Sequence, residues 1–149
     1  MILKKGDIFD DEHYLDFIGI TTNSILNKKG ELVMGAGIAK QAKQKHPDLP
    51  KLFGDLIKEK DVENKFYGML LAKRKYVAFQ TKLHWKDNSP LDVVQRSIIM
   101  LKKTANKYAD KTFGIPFPAI NNGGLTVEIV LPLLQEIPDN VIIYHLEGI

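Results

Sequence analysis

Short, continuously apolar runs alternate along this chain with segments of helical spacing, and that alternation restricts the possible folds more than any other feature. The clearest helical segment carries Leu91, Val94, Ile98, Leu101, Ala105 and Tyr108 at 3,4,3,4,3 spacing, one stripe of a 3.6-residue period. Ser89 and Pro90 before it suit an N-cap and a first-turn position. Three further helices are expected. One opens near Gly37, with Ile38, Ala39 and Ala42 inward, and ends by Pro47. The next covers 49–60, with Leu52, Leu56 and Phe53 inward, and a short one covers 127–135. Residues 2–3, 17–22, 66–72, 75–81, 113–117 and 141–144 read as strands, with Lys73-Arg74 as a tight turn. Strands that are apolar throughout, not alternating, are strands covered on both faces. The class is therefore α/β.

No repeat, low-complexity tract or Pro/Gly/Ser linker divides the 149 residues, so one domain over 1–149 is expected. Hydrophobic residues at 44% against 26% charged support a real core and exclude disorder. Without cysteine there is no disulfide framework, thiolate nucleophile or Cys-based zinc site. His13, His46, His84 and His145 have no partner His at metal-ligand spacing, so no metal site is expected; no cofactor is expected either. The start, Met1 to Asp7, lacks the apolar stretch of a signal peptide. No run approaches the ~20 apolar residues that span a bilayer. These readings point to a cytoplasmic protein with no membrane partner, and a monomer is expected. The net charge of +3 favours an anionic ligand without requiring nucleic acid. Lys40, Lys43 and Lys45 could touch phosphates, but exposed lysines more commonly belong to a solvated helix face.

In open α/β sheets, ligands sit beyond the carboxyl ends of strands, where strand-to-helix loops gather. Two glycine-containing loops occupy that topological position: Met34-Gly35-Ala36-Gly37 and Asn121-Asn122-Gly123-Gly124. Glycine, and to a lesser degree Asn, admits positive φ, and successive N–H groups in such turns point at an anion. Each loop alone is equally an ordinary turn or helix cap. Neither is a P-loop, since Gly-x-x-x-x-Gly-Lys-Ser/Thr is absent. Gly35-Ala36-Gly37 also lacks the third glycine of the dinucleotide fingerprint, although a nucleotide-binding domain of another kind stays open as a minor alternative.

Four blocks in order carry a family resemblance. Gly6-Asp7-Ile8 is followed by Thr21-Thr22-Asn23 with Met34-Gly35-Ala36-Gly37-Ile38-Ala39. Then come Phe79-Gln80-Thr81-Lys82-Leu83-His84-Trp85-Lys86 with Ser89, and finally the segment 118–128. Together they resemble macrodomains, and within that family the macrodomains of DNA ADP-ribosyl glycohydrolase antitoxins. The resemblance spans nearly the whole chain and implies a three-layer α/β/α sandwich with a mixed central sheet. It also implies ADP-ribose, or a macromolecule carrying it (DNA among the candidates), as the binding partner.

Residue by residue, the resemblance assigns Asp7 to the adenine amino group, with Ile8 as a further ligand-binding position; a carboxylate there can equally cap its own turn. Asn23 falls at the distal ribose, or else bonds local backbone. Met34, Gly35, Ala36, Gly37 and Ile38 match one diphosphate cradle, and Asn121, Asn122, Gly123, Gly124 and Leu125 match the other. Lys82 is the catalytic candidate, acting at the anomeric carbon of the distal ribose as a nucleophile or by its charge. Thr81, His84 and Trp85 are accessory candidates, His84 for proton transfer and Trp85 for stacking or core cover. The chain departs from the family where Thr126 replaces a frequent Asp after Gly-Gly-Leu. Ala119-Ile120-Asn121 likewise stands where relatives are richer in glycine. Binding is expected to survive this; hydrolysis is less secure. The leading expectation is an ADP-ribosyl hydrolase. A phosphatase acting on ADP-ribose 1″-phosphate and a non-catalytic reader or sequestering protein are the alternatives.

Overall fold

The computed structural model describes residues 1–60 and 65–146. Among them six strands form one sheet: β1 Ile2–Lys5, β2 Phe17–Thr22, β3 Met69–Ala72, β4 Tyr76–Gln80, β5 Phe113–Pro116 and β6 Val141–His145. Their order is β1-β6-β5-β2-β4-β3. β1 through β4 by way of β6, β5 and β2 run parallel, and β3 alone is antiparallel, against β4. The sheet is thus mixed. Four helices accompany it: α1 Gly37–Lys45, α2 Leu49–Lys60, α3 Leu91–Lys107 and α4 Val127–Leu134.

Side chains two apart along a strand share a face, and the core divides accordingly. Ile18 and Ile20 of β2 and Tyr76 and Ala78 of β4 pack with Ala39, Ala42, Leu49, Phe53 and Ile57 of α1 and α2. On the other face Phe79, Phe113, Ile115, Val141 and Ile143 pack with Val94, Ile98, Leu101, Val130 and Leu134 of α3 and α4. This is a three-layer α/β/α sandwich, and the two covered faces account for the apolar strand runs. None of the described helices is long and apolar enough to cross a membrane.

Several local expectations need correction. The stripe of α2 that is buried centres on Phe53 and Ile57, while Leu52 and Leu56 are only partly buried. In α3 the stripe holds from Val94 to Ala105, but the end residues Leu91 and Tyr108 are exposed. Ser89 does not cap α3: Pro90 holds the N-cap position and no side chain bonds there. The strand expected over 66–72 begins only at Met69, because Gly68 (φ 73) and Lys65 (φ 60) turn the chain before it.

Candidate functional site

Five parallel strands end at one edge of the sheet, and a cleft of about 1050 Å³ opens there. It is lined by Asp7 and Ile8 after β1, Asn23 after β2, Thr81 and Lys82 after β4, and Asn121, Asn122 and Gly123 after β5. Gly35, Ala36, Gly37 and Ile38 line it at the start of α1, and Trp85 at its rim. Thirteen of the residues singled out from the sequence therefore meet in one cavity. Four do not line it. Met34 is buried in the core on the α1 side, since its long apolar side chain gains more there than at a polar cleft. Gly124 is exposed and Leu125 partly buried against the core, and their N–H groups are taken up within the loop, donating to Asn121 O (3.4 Å) and Ala119 O (2.9 Å). His84 turns away, and its Nδ1 accepts from Lys86 N–H at 3.0 Å.

The start of α1 is built to face an anion. Ala36 occupies the N-cap with no side-chain cap bond, and the helical ladder opens with Lys40 N–H to Ala36 O at 3.2 Å. The N–H groups of Gly37, Ile38 and Ala39 precede that bond and have no carbonyl within the helix. They lie at the positive end of the helix dipole, beside the cleft. Gly37 enters at φ +56, and a Cβ there would stand 3.6 Å from Asn122 Nδ2. The two glycine loops thus come within van der Waals reach across the cavity.

The second loop is tightly folded. Ala119, at φ 67, takes the left-handed region that disfavours a Cβ, and Ser89 N–H holds Gly123 O at 2.7 Å. A Cβ on Gly123 would lie 2.5 Å from both Ala119 O and Ser89 Oγ, so only glycine fits. Ser89 itself is 4% exposed, and its Oγ is buried without a hydrogen-bond partner. Thr126 caps α4 through its backbone alone. Among the described cleft-lining residues Asp7 supplies the sole carboxylate.

Lys82 is positioned by a buried polar frame. The N–H groups of Thr81 and Lys82 both donate to Thr22 O, at 3.0 and 3.2 Å. Gln80, fully buried, donates from Nε2 to Lys82 O at 3.1 Å and to Lys65 O at 2.9 Å. Its Oε1 accepts from the N–H groups of Tyr67 and Gly68 at 2.8 and 3.1 Å, and Ser97 Oγ donates to its backbone O at 2.6 Å. Tyr67 OH donates to Asn23 O at 2.6 Å and also meets Thr22 Oγ1. Burial pushes that phenol above its usual range, with Thr22 acting weakly against it. The Lys82 ammonium reaches back to Trp85 O at 3.3 Å.

Asn23 and Asp7 do local work first. Asn23 Nδ2 donates to Val33 O at 3.0 Å and its Oδ1 accepts from Ile25 N–H at 2.8 Å. Asp7 Oδ1 accepts from Phe9 N–H at 2.9 Å, capping the 3-10 turn Ile8–Asp11. An amide and a carboxylate have further hydrogen-bonding capacity beyond these contacts, so the structural role leaves room for a ligand. Sequence reasoning missed Gln80, Tyr67 and Ser97 as the frame under Lys82, and missed Tyr144 and Lys86 as lining residues. Gln80 was visible as the amide that closes the otherwise apolar strand Tyr76–Gln80: a lone amide ending an apolar run is a signal of a buried network.

No protein-family model matches the chain. Over 154 residues, 89% of this chain and 37% of the relative, it is 27% identical to a DNA ADP-ribosyl transferase–DNA ADP-ribosyl glycohydrolase fusion protein of Thermosipho africanus. Its fold is similar to that of Thermosipho africanus DarTG in complex with ADP-ribose. The TM-score is 0.74 at 25% identity, over 97% of this chain and 41% of that one. The macrodomain of Mycobacterium tuberculosis DarG gives the same TM-score, 0.74, at 25% identity, over 96% of this chain and 95% of that one. The chain spans about two fifths of the length of the curated relatives it matches, 37% and 41%.

Proposed function

We propose that the chain is a macrodomain, as its similarity to DarG macrodomain structures supports, that its cleft binds ADP-ribose and that the protein removes ADP-ribosyl groups from a macromolecule. DNA is the first candidate, because two relatives are named for DNA ADP-ribosyl glycohydrolase activity. One observation carries the reading: the N-terminus of α1 and the 121–123 loop approach across one cleft that also holds Lys82. A diphosphate there meets neutral N–H groups from two directions, which needs no strongly basic protein. Asp7 and Ile8 stand where the adenine end would lie, and Asn23 and Lys82 where the distal ribose would lie. Lys82 acts at the anomeric carbon. Its backbone is fixed by Thr22 and Gln80, so only the side chain must move, leaving Trp85 O for the sugar. We infer a single domain acting as a monomer in the cytoplasm, a reading supported by a cleft whose described lining comes from one copy of the chain.

Incubation with an ADP-ribosylated single-stranded oligonucleotide tests the reading. Free ADP-ribose is expected from wild type, with turnover reduced roughly a hundredfold or more in Lys82→Ala while calorimetric ADP-ribose binding persists. Borohydride separates the two roles of Lys82, since reduction traps a lysine–sugar adduct only if the amine attacks carbon. Release of nothing from DNA or protein conjugates contradicts the hydrolase. A second reading, the non-catalytic reader, is favoured by Thr126 and by Asp7 being the sole carboxylate among the described lining residues. Tight binding with no turnover of any conjugate supports it.

A further inference from the structure

The chain's single tryptophan, Trp85, sits at the cleft rim with 47% of its surface exposed. A large aromatic gains most when covered, so a half-exposed ring beside a binding cleft calls for a reason. The loop beneath it is not loose. Ser24 Oγ and Ser24 N–H both donate to Leu83 O, at 2.7 and 3.1 Å. Asp87 N–H donates to His84 O at 3.1 Å, and the Lys82 ammonium donates to Trp85 O. The His84 ring lies 5.2 Å from the Trp85 ring at 32°, and the Lys86 ammonium lies 5.4 Å from the indole centroid. The arrangement is a preorganised aromatic surface with a cation on it, next to Lys82, the catalytic candidate.

We infer that Trp85 and Lys86 form a subsite for single-stranded nucleic acid, stacking one base of the strand flanking the ADP-ribosyl attachment. A base presents a flat π-face to the indole, and a backbone phosphate within reach takes the Lys86 ammonium off the ring. Asp87, exposed on the same loop, contributes no matching attraction for a phosphate, so the favourable charge comes from Lys82 and Lys86. The position of the subsite rests on the cleft reading above, through the closeness of Lys82; the stacking itself does not.

The two can be tested apart, because the one tryptophan reports on its own contact. Titrating the protein with unmodified oligothymidylate is expected to quench tryptophan emission in a saturable, salt-sensitive manner, whether or not any conjugate is hydrolysed. By anisotropy of a labelled oligothymidylate, Trp85→Ala is expected to weaken binding roughly tenfold, Trp85→Phe to restore most of it, and Lys86→Gln to flatten the salt dependence. On ADP-ribosylated oligonucleotide, the Trp85→Ala loss in kcat/KM is expected to exceed its loss of ADP-ribose affinity about tenfold. Unchanged emission with oligothymidylate, equal binding by Trp85→Ala, or a larger effect of Trp85→Ala on an ADP-ribosylated peptide overturns the subsite. Failure of wild type to release ADP-ribose, with quenching intact, overturns the hydrolase reading instead.

Discussion

Two residues under the second loop, Ser89 and Gly123, are constrained in opposite ways. The Ser89 hydroxyl is buried without a partner, and an unsatisfied buried donor costs about 1–3 kcal/mol. Ser89→Ala removes that penalty and leaves the Ser89 N–H bond to Gly123 O untouched. The variant is expected to melt about 3 °C higher, by the usual relation of stability to Tm at this size; a lower Tm in thermal unfolding would show the hydroxyl to be engaged. Gly123 has no such freedom, because the nearest obstacle to a Cβ is backbone, Ala119 O at 2.5 Å. Gly123→Ala is expected to destabilise by roughly 2 kcal/mol in chemical denaturation, and to weaken ADP-ribose binding as the loop shifts. A stability equal to wild type would mean the loop is softer than its packing indicates.

The elements divide into those the sequence made legible and those it did not. α3 was readable because its apolar residues fall on one stripe with polar residues around it. The two glycine loops were readable because both fall between a strand and a helix, the position at which open α/β sheets hold ligands. α2 was ambiguous: Leu49, Leu52, Phe53, Leu56 and Ile57 form two adjacent stripes, and only packing against the Ile18–Ile20 face selects Phe53 and Ile57. That Gly124 and Leu125 spend their N–H groups within the loop could not be read either, since those bonds to Asn121 and Ala119 depend on the folded loop. Nor could the frame beneath Lys82, whose partners Tyr67, Gln80 and Ser97 come from separate elements. Gln80→Ala leaves several buried groups without partners and is expected to cost about 3 kcal/mol in urea unfolding; a loss below about 1 kcal/mol would mean water replaces the amide. The β3–β4 hairpin offers the reverse test. Its turn residues Lys73 and Arg74 lie at φ 56 and 62, and Lys73 also pairs with Asp48 at 2.7 Å. Arg74→Gly relieves one left-handed residue while keeping that pair, and is expected to stabilise by about 1 kcal/mol in the same assay. No gain would contradict the turn geometry.

Across the whole molecule, titratable groups set a window of stability. The carboxyls of Asp11, beside Lys4 and Tyr144, and Glu12, beside Tyr76, are held below the usual range. So are Asp48, by Lys73, and Glu136, by Lys102. A carboxyl depressed by folding adds stability that is complete above its unfolded value, near ~4, and fades as pH falls through the lower folded one. Burial raises the phenols of Tyr67, Tyr76 and Tyr144, with Glu12 and Asp11 adding to the latter two. A phenol raised by folding gives stability that is complete below its unfolded value, near ~10, and is lost as pH rises toward the folded one. Melting followed by circular dichroism should therefore change little with these groups between those limits, and fall below about pH 4 and above about pH 10. A fall beginning near neutrality would point to a group outside this set. The architecture brings five parallel strand ends, one helix start without a side-chain cap and one closely folded glycine loop to a single cleft, and the proposed function depends on that cleft holding one diphosphate. Titration calorimetry of the wild-type protein with ADP-ribose tests it most directly: saturable heat at one ligand per chain is the predicted result, and no heat from folded protein at millimolar ADP-ribose would contradict it.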